Sequence, residues 1–420
     1  MERAPDIEFE VHRLENGLEV LLCPNRLVPL VHVSVHYRVG SSYEQPGASG
    51  FAHLFEHLMF QGSENLSKNE HGRLIDEAGG NWNATTNKDR TNYYQTLPSH
   101  YLDLGLWLEA ERMRSLQVTP ENFENQRRTV IEEKKQSYDN RPYGKAFLRF
   151  DELAYRNWAY AHSTIGEVED LERAKVQDAQ RFHRAHYGPD NAVLSLCGDF
   201  DRRQALGRIE QYFGPVTHRT GSQPPRIEEP EQREERVEEM DDPLAVLAAA
   251  YLGFHIGDPS SPENYALAML ALVLSQGESS RFYRELVHKR NWISGLSAGP
   301  NHYRGPQLFK VSFLVQSQAD PKEVVRAVSD ELARAAEEPV SDQELEKARN
   351  QFTYRFVSRQ SRVSGVGEAL ARYAVYYGDA RIANQDLQRY QSVTAQDILR
   401  AARKTFCPQN RTLLMVRPAA

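Results

Sequence analysis

"VQDAQRFHRAHYGPDNAVL", residues 176–194, lies against "AQDILRAARKTFCPQNRTL", residues 395–413, without a gap. Gln177, Asp178, Arg181, Arg184, Pro189, Asn191 and Leu194 meet Gln396, Asp397, Arg400, Arg403, Pro408, Asn410 and Leu413, and Tyr187 meets Phe406. Each copy reads as an amphipathic helix, a proline-containing turn and a β-strand. So many identities at one register imply a duplicated domain of about 200 residues.

The join between the copies is visible. Residues 214–243, "GPVTHRTGSQPPRIEEPEQREERVEEMDDP", are rich in Pro, Gly and charge, as connectors are. The expected organisation is a first half over residues 1–215, a linker over 216–236 and a homologous second half over 237–420. Within the first half, an Asn16-Gly17 pair marks a hairpin between Val11 and Cys23. "LVHVSVHYRVG", residues 30–40, alternates like a half-buried strand, with His32 and His36 on a face expected to meet solvent. Helices are predicted near 47–61, 68–78, 99–115 and 120–138, and Ser341 with Glu344 forms a capping-box pattern before another. The fold class is α+β: two tandem homologous domains, each a mainly antiparallel sheet with helices packed on one face.

Composition narrows the function. The chain has 420 residues, 40% hydrophobic and 26% charged, with a formal net charge of −7. These are the proportions of a soluble globular protein, and the acidic balance excludes a phosphate-neutralising nucleic-acid binder. No apolar stretch reaches the roughly 18 residues of a membrane span. The first residues, "MERAPDIEFEV", lack the pattern of a signal peptide, which points to the cytoplasm; a signal already removed would point to the periplasm. Cys23, Cys197 and Cys407 are odd in number and far apart, so they read as plain buried thiols, with no disulfide framework.

The chemistry sits in "GFAHLFEHLMFQG", residues 50–62. His53 and His57 are four apart and share one face of a helix, with Glu56 beside them. H-x-x-E-H inverts the H-E-x-x-H zinc motif. Two imidazoles supply two of the three protein ligands that a catalytic zinc takes, and Glu56 would serve as general base. The plain alternative is a pair of core histidines hydrogen-bonded to Glu56. A third ligand is offered by "NQRRTVIEEKKQSYDNRPYG", residues 125–144, which carries Glu132 and Glu133. Adjacent helical carboxylates point about 100° apart, so one of the two can face inward, and spacing does not choose between them.

Residues 50–144 resemble the pitrilysin/insulinase family of inverted-motif zinc peptidases, which includes mitochondrial processing peptidase. The resemblance rests on "HLFEH" at 53–57, "LIDEAGGNWNATTNKDRTNYY" at 74–94 and "VIEEKKQSYDNRPYG" at 130–144, in that order and spacing. It implies one zinc (Zn2+) per chain and makes Glu133 the third ligand, with Glu132 as its solvated or lysine-paired neighbour. It also makes Asn83 and Ala84 substrate-binding residues, on what reads as an edge strand able to hold an extended peptide.

The second half departs from the first. Matching Gln61-Gly62 with Gln276-Gly277 sets Ala268, Ala271 and Leu272 where His53, Glu56 and His57 stand, and none can bind metal. In single-chain relatives this half supplies an Arg and a Tyr for substrate and oxyanion; here those positions hold Val287 and Ser294. Arg284 and Arg290 nearby read as surface cations. The resemblance therefore implies a zinc-bearing metalloendopeptidase subunit, acting on flexible or unfolded peptides. It would work as a heterodimer with a homologous subunit that lacks the zinc motif but carries the Arg/Tyr pair. The rival readings are a non-catalytic core subunit of a larger assembly and a self-sufficient homodimeric protease.

Overall fold

The computed structural model describes residues 6–419, and the chain divides into two compact units. The first comprises the residues up to Glu132, Ser163–Arg226 and Val357–Asn384; the second comprises Glu133–His162, Ile227–Phe356 and the residues from Gln385 onward. Each unit is thus completed by a stretch from the other half of the sequence.

The first unit is built on a six-stranded sheet of β1 (Glu10–Arg13), β2 (Glu19–Pro24), β3 (Leu30–Tyr37), β4 (Asn81–Thr86), β5 (Thr91–Pro98) and β6 (Ala192–Gly198), in the order β1-β2-β6-β3-β5-β4. Only β2 and β6 pair in parallel. Asn16-Gly17 makes the β1–β2 turn, with Gly17 at φ 96° and Asn16 donating to the carbonyl of Phe213 at 2.8 Å. On β3, Val33 faces the helix Leu102–Ser115, where a Cβ on Gly105 would sit 3.3 Å from the valine.

The other face of β3 corrects a sequence expectation. His32 and His36 do not meet solvent; they are 0% and 1% exposed. The helix Val363–Tyr377 covers them, so closely that a Cβ on Gly367 would lie 2.7 Å from His32 Cδ2. Glu368 on that helix meets one nitrogen of each buried imidazole: its Oε1 lies 3.3 Å from Nε2 of each, and it also accepts from Ser34 Oγ at 2.5 Å and, through Oε2, from Asn92 Nδ2 at 2.8 Å. The covering helix adds a layer that the local pattern of β3 does not announce. All three cysteines are free thiols; Cys23 and Cys197 are buried register partners on β2 and β6, whereas Cys407 is only half-buried, contrary to expectation.

The second unit repeats the plan. Strands β7 (Arg236–Asp242), β8 (Ala248–Ile256), β9 (Ile293–Pro300), β10 (Gln307–Val315) and β11 (Arg411–Pro418) lie in the order β7-β11-β8-β10-β9, with β7 and β11 parallel. This is the order of β2 to β6 with every strand advanced by five. Its core combines the apolar helix Pro262–Ser275 with Phe309, Val311, Phe313 and Ile398. The helix Gly144–Ala154 packs Phe150 over Gly253, and Asp151 pairs with Lys310 at 2.6 Å. The Ser341–Glu344 capping pattern forms as expected, with reciprocal bonds of 3.3 Å and 2.9 Å. No helix among the described residues is long and apolar enough to cross a membrane.

Candidate metal centre

The helix Phe51–Leu58 buries Phe51, Ala52, Leu54, Phe55 and Leu58 and leaves His53, Glu56 and His57 half-buried along one edge. That division follows from the helical period, since positions three and four apart share a face. The two imidazole rings stand 4.9 Å apart between centroids, with planes at 77°. Phe55 points the opposite way, stacking near Phe182 and Tyr187. Its carbonyl accepts the hydroxyl of Tyr93, at 3.0 Å, from β5. Burial first, then the negative charge that Tyr187 and Glu56 would place nearby, pushes the Tyr93 phenol well above its ordinary value, so it stays a donor.

Glu133 comes from the helix Pro120–Lys134. Phe123, Gln126, Val130 and Lys134 are its buried positions. Glu133 lies seven residues after Gln126 and three after Val130, on that inner face, whereas Glu132 is exposed. The buried positions thus discriminate between two carboxylates that spacing alone leaves equivalent. The helix is tied to the turn that follows the histidine helix by Asn122, whose Nδ2 donates to the carbonyl of Gln61 at 3.1 Å.

His53, His57 and Glu133 each present one ligand atom, and these atoms lie within 4.8 Å of one another. No other group of three such side chains was found among the described residues. Two imidazole nitrogens and a carboxylate oxygen form a three-donor set of the kind that suits zinc with an open fourth position. The residues therefore fit the ion. Beyond Glu133, burial first and the neighbouring Glu133 charge raise the Tyr138 phenol.

Asn83 and Ala84 lie on β4, one of the two edge strands of the first sheet, which the histidine helix packs against. Asn83 is exposed and Ala84 buried. The main-chain N–H of Ala84 donates to the side-chain oxygen of Asn83 at 2.8 Å, so the edge is closed locally by its own side chain. The β4–β5 turn is ordered by Asn87, which accepts from the N–H groups of Asp89 and Arg90 at 2.8 Å and 2.9 Å. In the second unit, Ala268, Ala271 and Leu272 sit on the helix Pro262–Ser275 with no ligand atom among them. Val287 belongs to a wide helical turn, Tyr283–His288, and Ser294 to β9. Arg284 and Arg290 are exposed, the latter stacking over Trp292 at 4.6 Å.

Sequence reasoning missed Glu44, which accepts from the N–H groups of Gly50 and Ala52, Tyr93, which donates to the Phe55 carbonyl, and Asn122, which holds the chain just past the histidine helix; all three act on backbone atoms. Such contacts leave no spacing signature.

A duplicated α+β chain with H-x-x-E-H in its first copy and no metal ligands at the matching positions of the second has the architecture of an inverted-motif peptidase. The profile for insulinase, peptidase family M16, matches residues 20–167, and that for the peptidase M16 inactive domain matches residues 173–352. The chain belongs to peptidase family M16, the pitrilysin/insulinase family. The zinc protease PqqE of Helicobacter pylori is 28% identical over 414 residues, covering 96% of this chain and 92% of that protein. A probable mitochondrial-processing peptidase subunit beta of Arabidopsis thaliana is 23% identical over 424 residues, covering 98% of this chain and 78% of that one. The crystal structure of a protease from Helicobacter pylori has the same fold, with a TM-score of 0.94 at 27% identity, covering 98% of this chain and 100% of that one.

Proposed function

We propose that the chain is the zinc-bearing subunit of a metalloendopeptidase that cleaves internal bonds of flexible or unfolded peptides. The observation that carries this reading is the convergence of His53, His57 and Glu133 within 4.8 Å, with Glu56 on the same helix edge as the histidines. A zinc ion held there would act as a Lewis acid and make water nucleophilic at neutral pH. Glu56 takes a proton from the attacking water as its oxygen bonds to the scissile carbonyl carbon. It returns the proton to the amide nitrogen as the C–N bond breaks, freeing an amine and a carboxylate. Asn83 and Ala84 align the substrate as an added strand on β4, the side chain of Asn83 giving up the Ala84 N–H to the peptide.

A homologous partner would supply the Arg/Tyr pair that Val287 and Ser294 replace. The relative in Arabidopsis thaliana is itself named a subunit, which supports a paired enzyme over a lone one.

The test is Glu56→Gln in the purified chain, assayed with its partner or alone on a quenched peptide, with metal content read in parallel. Retained zinc with cleavage lost is the expected result. Retained cleavage removes the mechanism, and loss of zinc makes Glu56 a ligand.

A further inference from the structure

The histidine helix starts without an ordinary cap. Its N-cap position is Gly50, at φ 88°, which has no side chain to accept the free N–H groups of the first turn. Those groups are answered from outside the helix. Glu44, 4% exposed, spans the helix start: its Oε2 accepts from the N–H of Gly50 at 2.8 Å, and its Oε1 accepts from the N–H of Ala52 at 2.7 Å. Both oxygens of one buried carboxylate are engaged, and the negative charge sits at the positive end of the helix.

This two-point grip has a directional consequence. One hydrogen bond would let the helix start pivot about the acceptor, whereas two bonds to the N–H groups flanking Phe51 fix both its tilt and its rotation. His53 follows immediately, and His57 lies one turn further on. The surroundings reinforce the placement. Ser49 donates through Oγ to Asp170 at 2.7 Å and accepts from the N–H of Glu167 at 2.9 Å. A Cβ on Gly50 would lie 2.8 Å from the carbonyl of Ile165, so the backbone there is in close contact.

We infer that Glu44 is a positioning residue of the metal centre: through the backbone of the helix it sets where the His53 and His57 imidazoles stand. The inference rests on the zinc-site reading above. Removing a group that orients metal ligands typically weakens metal binding about 10-fold to 100-fold without touching the ligands themselves.

A cavity of about 530 Å³, lined by Glu44, Phe51, Asp170, Phe182 and His186 among others, opens beside the carboxylate. It gives a small carboxylate a route to the position that Glu44→Ala would vacate. Glu44→Gln leaves no such space and turns an N–H donor towards one of the two helix donors.

The experiment measures zinc affinity by competition with a chromophoric chelator for the full chain, its Glu44→Ala and Glu44→Gln variants, and a control, Leu21→Ala. The control removes core volume elsewhere in the same unit, so it reports what instability alone does. Zinc binding about 10-fold or more weaker in both Glu44 variants, with Leu21→Ala at wild-type affinity, is the expected result. Added acetate is expected to strengthen zinc binding by Glu44→Ala and not by Glu44→Gln, and the cobalt-substituted variants should show a shifted visible spectrum. Wild-type affinity in Glu44→Ala overturns the role of Glu44 and leaves the zinc site standing. A wild-type chain that takes up no zinc, or a His53→Ala variant that binds it as before, overturns the site reading and this inference with it.

Discussion

Asn191 and Asn410 make the same two contacts in the two units. Asn191 Nδ2 donates to the carbonyl of His186, the last residue of its helix, at 2.8 Å, and to that of Arg38 at 3.2 Å. Asn410 Nδ2 donates to the carbonyls of Thr405 and His255, both at 2.9 Å. The pair explains why the repeat is sharpest at this point. One side chain locks a helix end to a strand edge, and the aspartates Asp178 and Asp397 cap the same two helices. Asn191→Ala and Asn410→Ala should each cost about 1–3 kcal/mol by stranding two carbonyls. Urea unfolding checks this, with zinc content unchanged in both.

Acid should loosen the first unit through Glu368 and His36. Burial alone would raise the Glu368 carboxyl, but the attraction of His36 and the bonds from both histidines hold it well below its ordinary value of 4.5. Burial pushes His36 below 6.5, against the pull of Glu368. Both folded-state values lie under the unfolded ones, so the unfolded chain binds more protons in acid. Stability is complete above about pH 6.5; the His36 contribution erodes below that, and the Glu368 contribution below about 4.5. Urea midpoints from pH 8 to pH 4 should fall accordingly. Glu368→Gln should be less stable at pH 7 and flatter below pH 4.5. A profile identical to wild type would sink the assignment.

Exchanging the two neighbouring carboxylates one at a time separates ligand from bystander. Glu133→Gln removes an anionic donor from the set that converges within 4.8 Å, and zinc binding should drop by at least about 100-fold. Glu132→Gln, at an exposed position, should keep zinc content at one per chain. Elemental analysis of both proteins after dialysis decides the matter; the reverse pattern would make Glu132 the ligand.

Gly50→Ala tests the start of the histidine helix. The left-handed backbone at φ 88° and the Ile165 carbonyl 2.8 Å from the new Cβ both oppose a side chain. The substitution should cost about 1–3 kcal/mol, by thermal or urea unfolding of the metal-free protein.

What the sequence makes legible follows the range of each interaction. H-x-x-E-H reads directly because its three residues sit within one helical turn, and the duplication reads because Asn191 and Asn410 carry identical local work. The edge position of β4 also follows from a local pattern. His32 and His36 mislead because the helix that buries them, Val363–Tyr377, lies more than 300 residues away in the chain. Nothing in the alternation of β3 distinguishes a face covered by a distant helix from one open to water. Glu44 is hidden for a different reason: it reaches across a turn to backbone atoms, which carry no residue identity. The inward turn of Glu133 needed the burial of Gln126 and Val130, a tertiary fact.

The proposed pairing of this chain with a second subunit makes a kinetic prediction. Substrate hydrolysis builds negative charge on the carbonyl oxygen, and loss of one donor to it costs about 10² to 10³ in kcat. On the proposed reading Val287 and Ser294 replace a guanidinium and a phenol, and the Val287 side chain offers no donor. The purified chain should therefore bind one zinc and turn over a quenched peptide at least about 100-fold more slowly than the same chain mixed with a homologous subunit carrying the Arg/Tyr pair. Gel filtration should show the mixture as a heterodimer, and a partner whose Arg and Tyr are replaced by Ala should bind without accelerating cleavage. Brisk, chelator-sensitive turnover by the chain alone would show that its own residues complete the oxyanion site, and the two-subunit reading would fall while the zinc site stood.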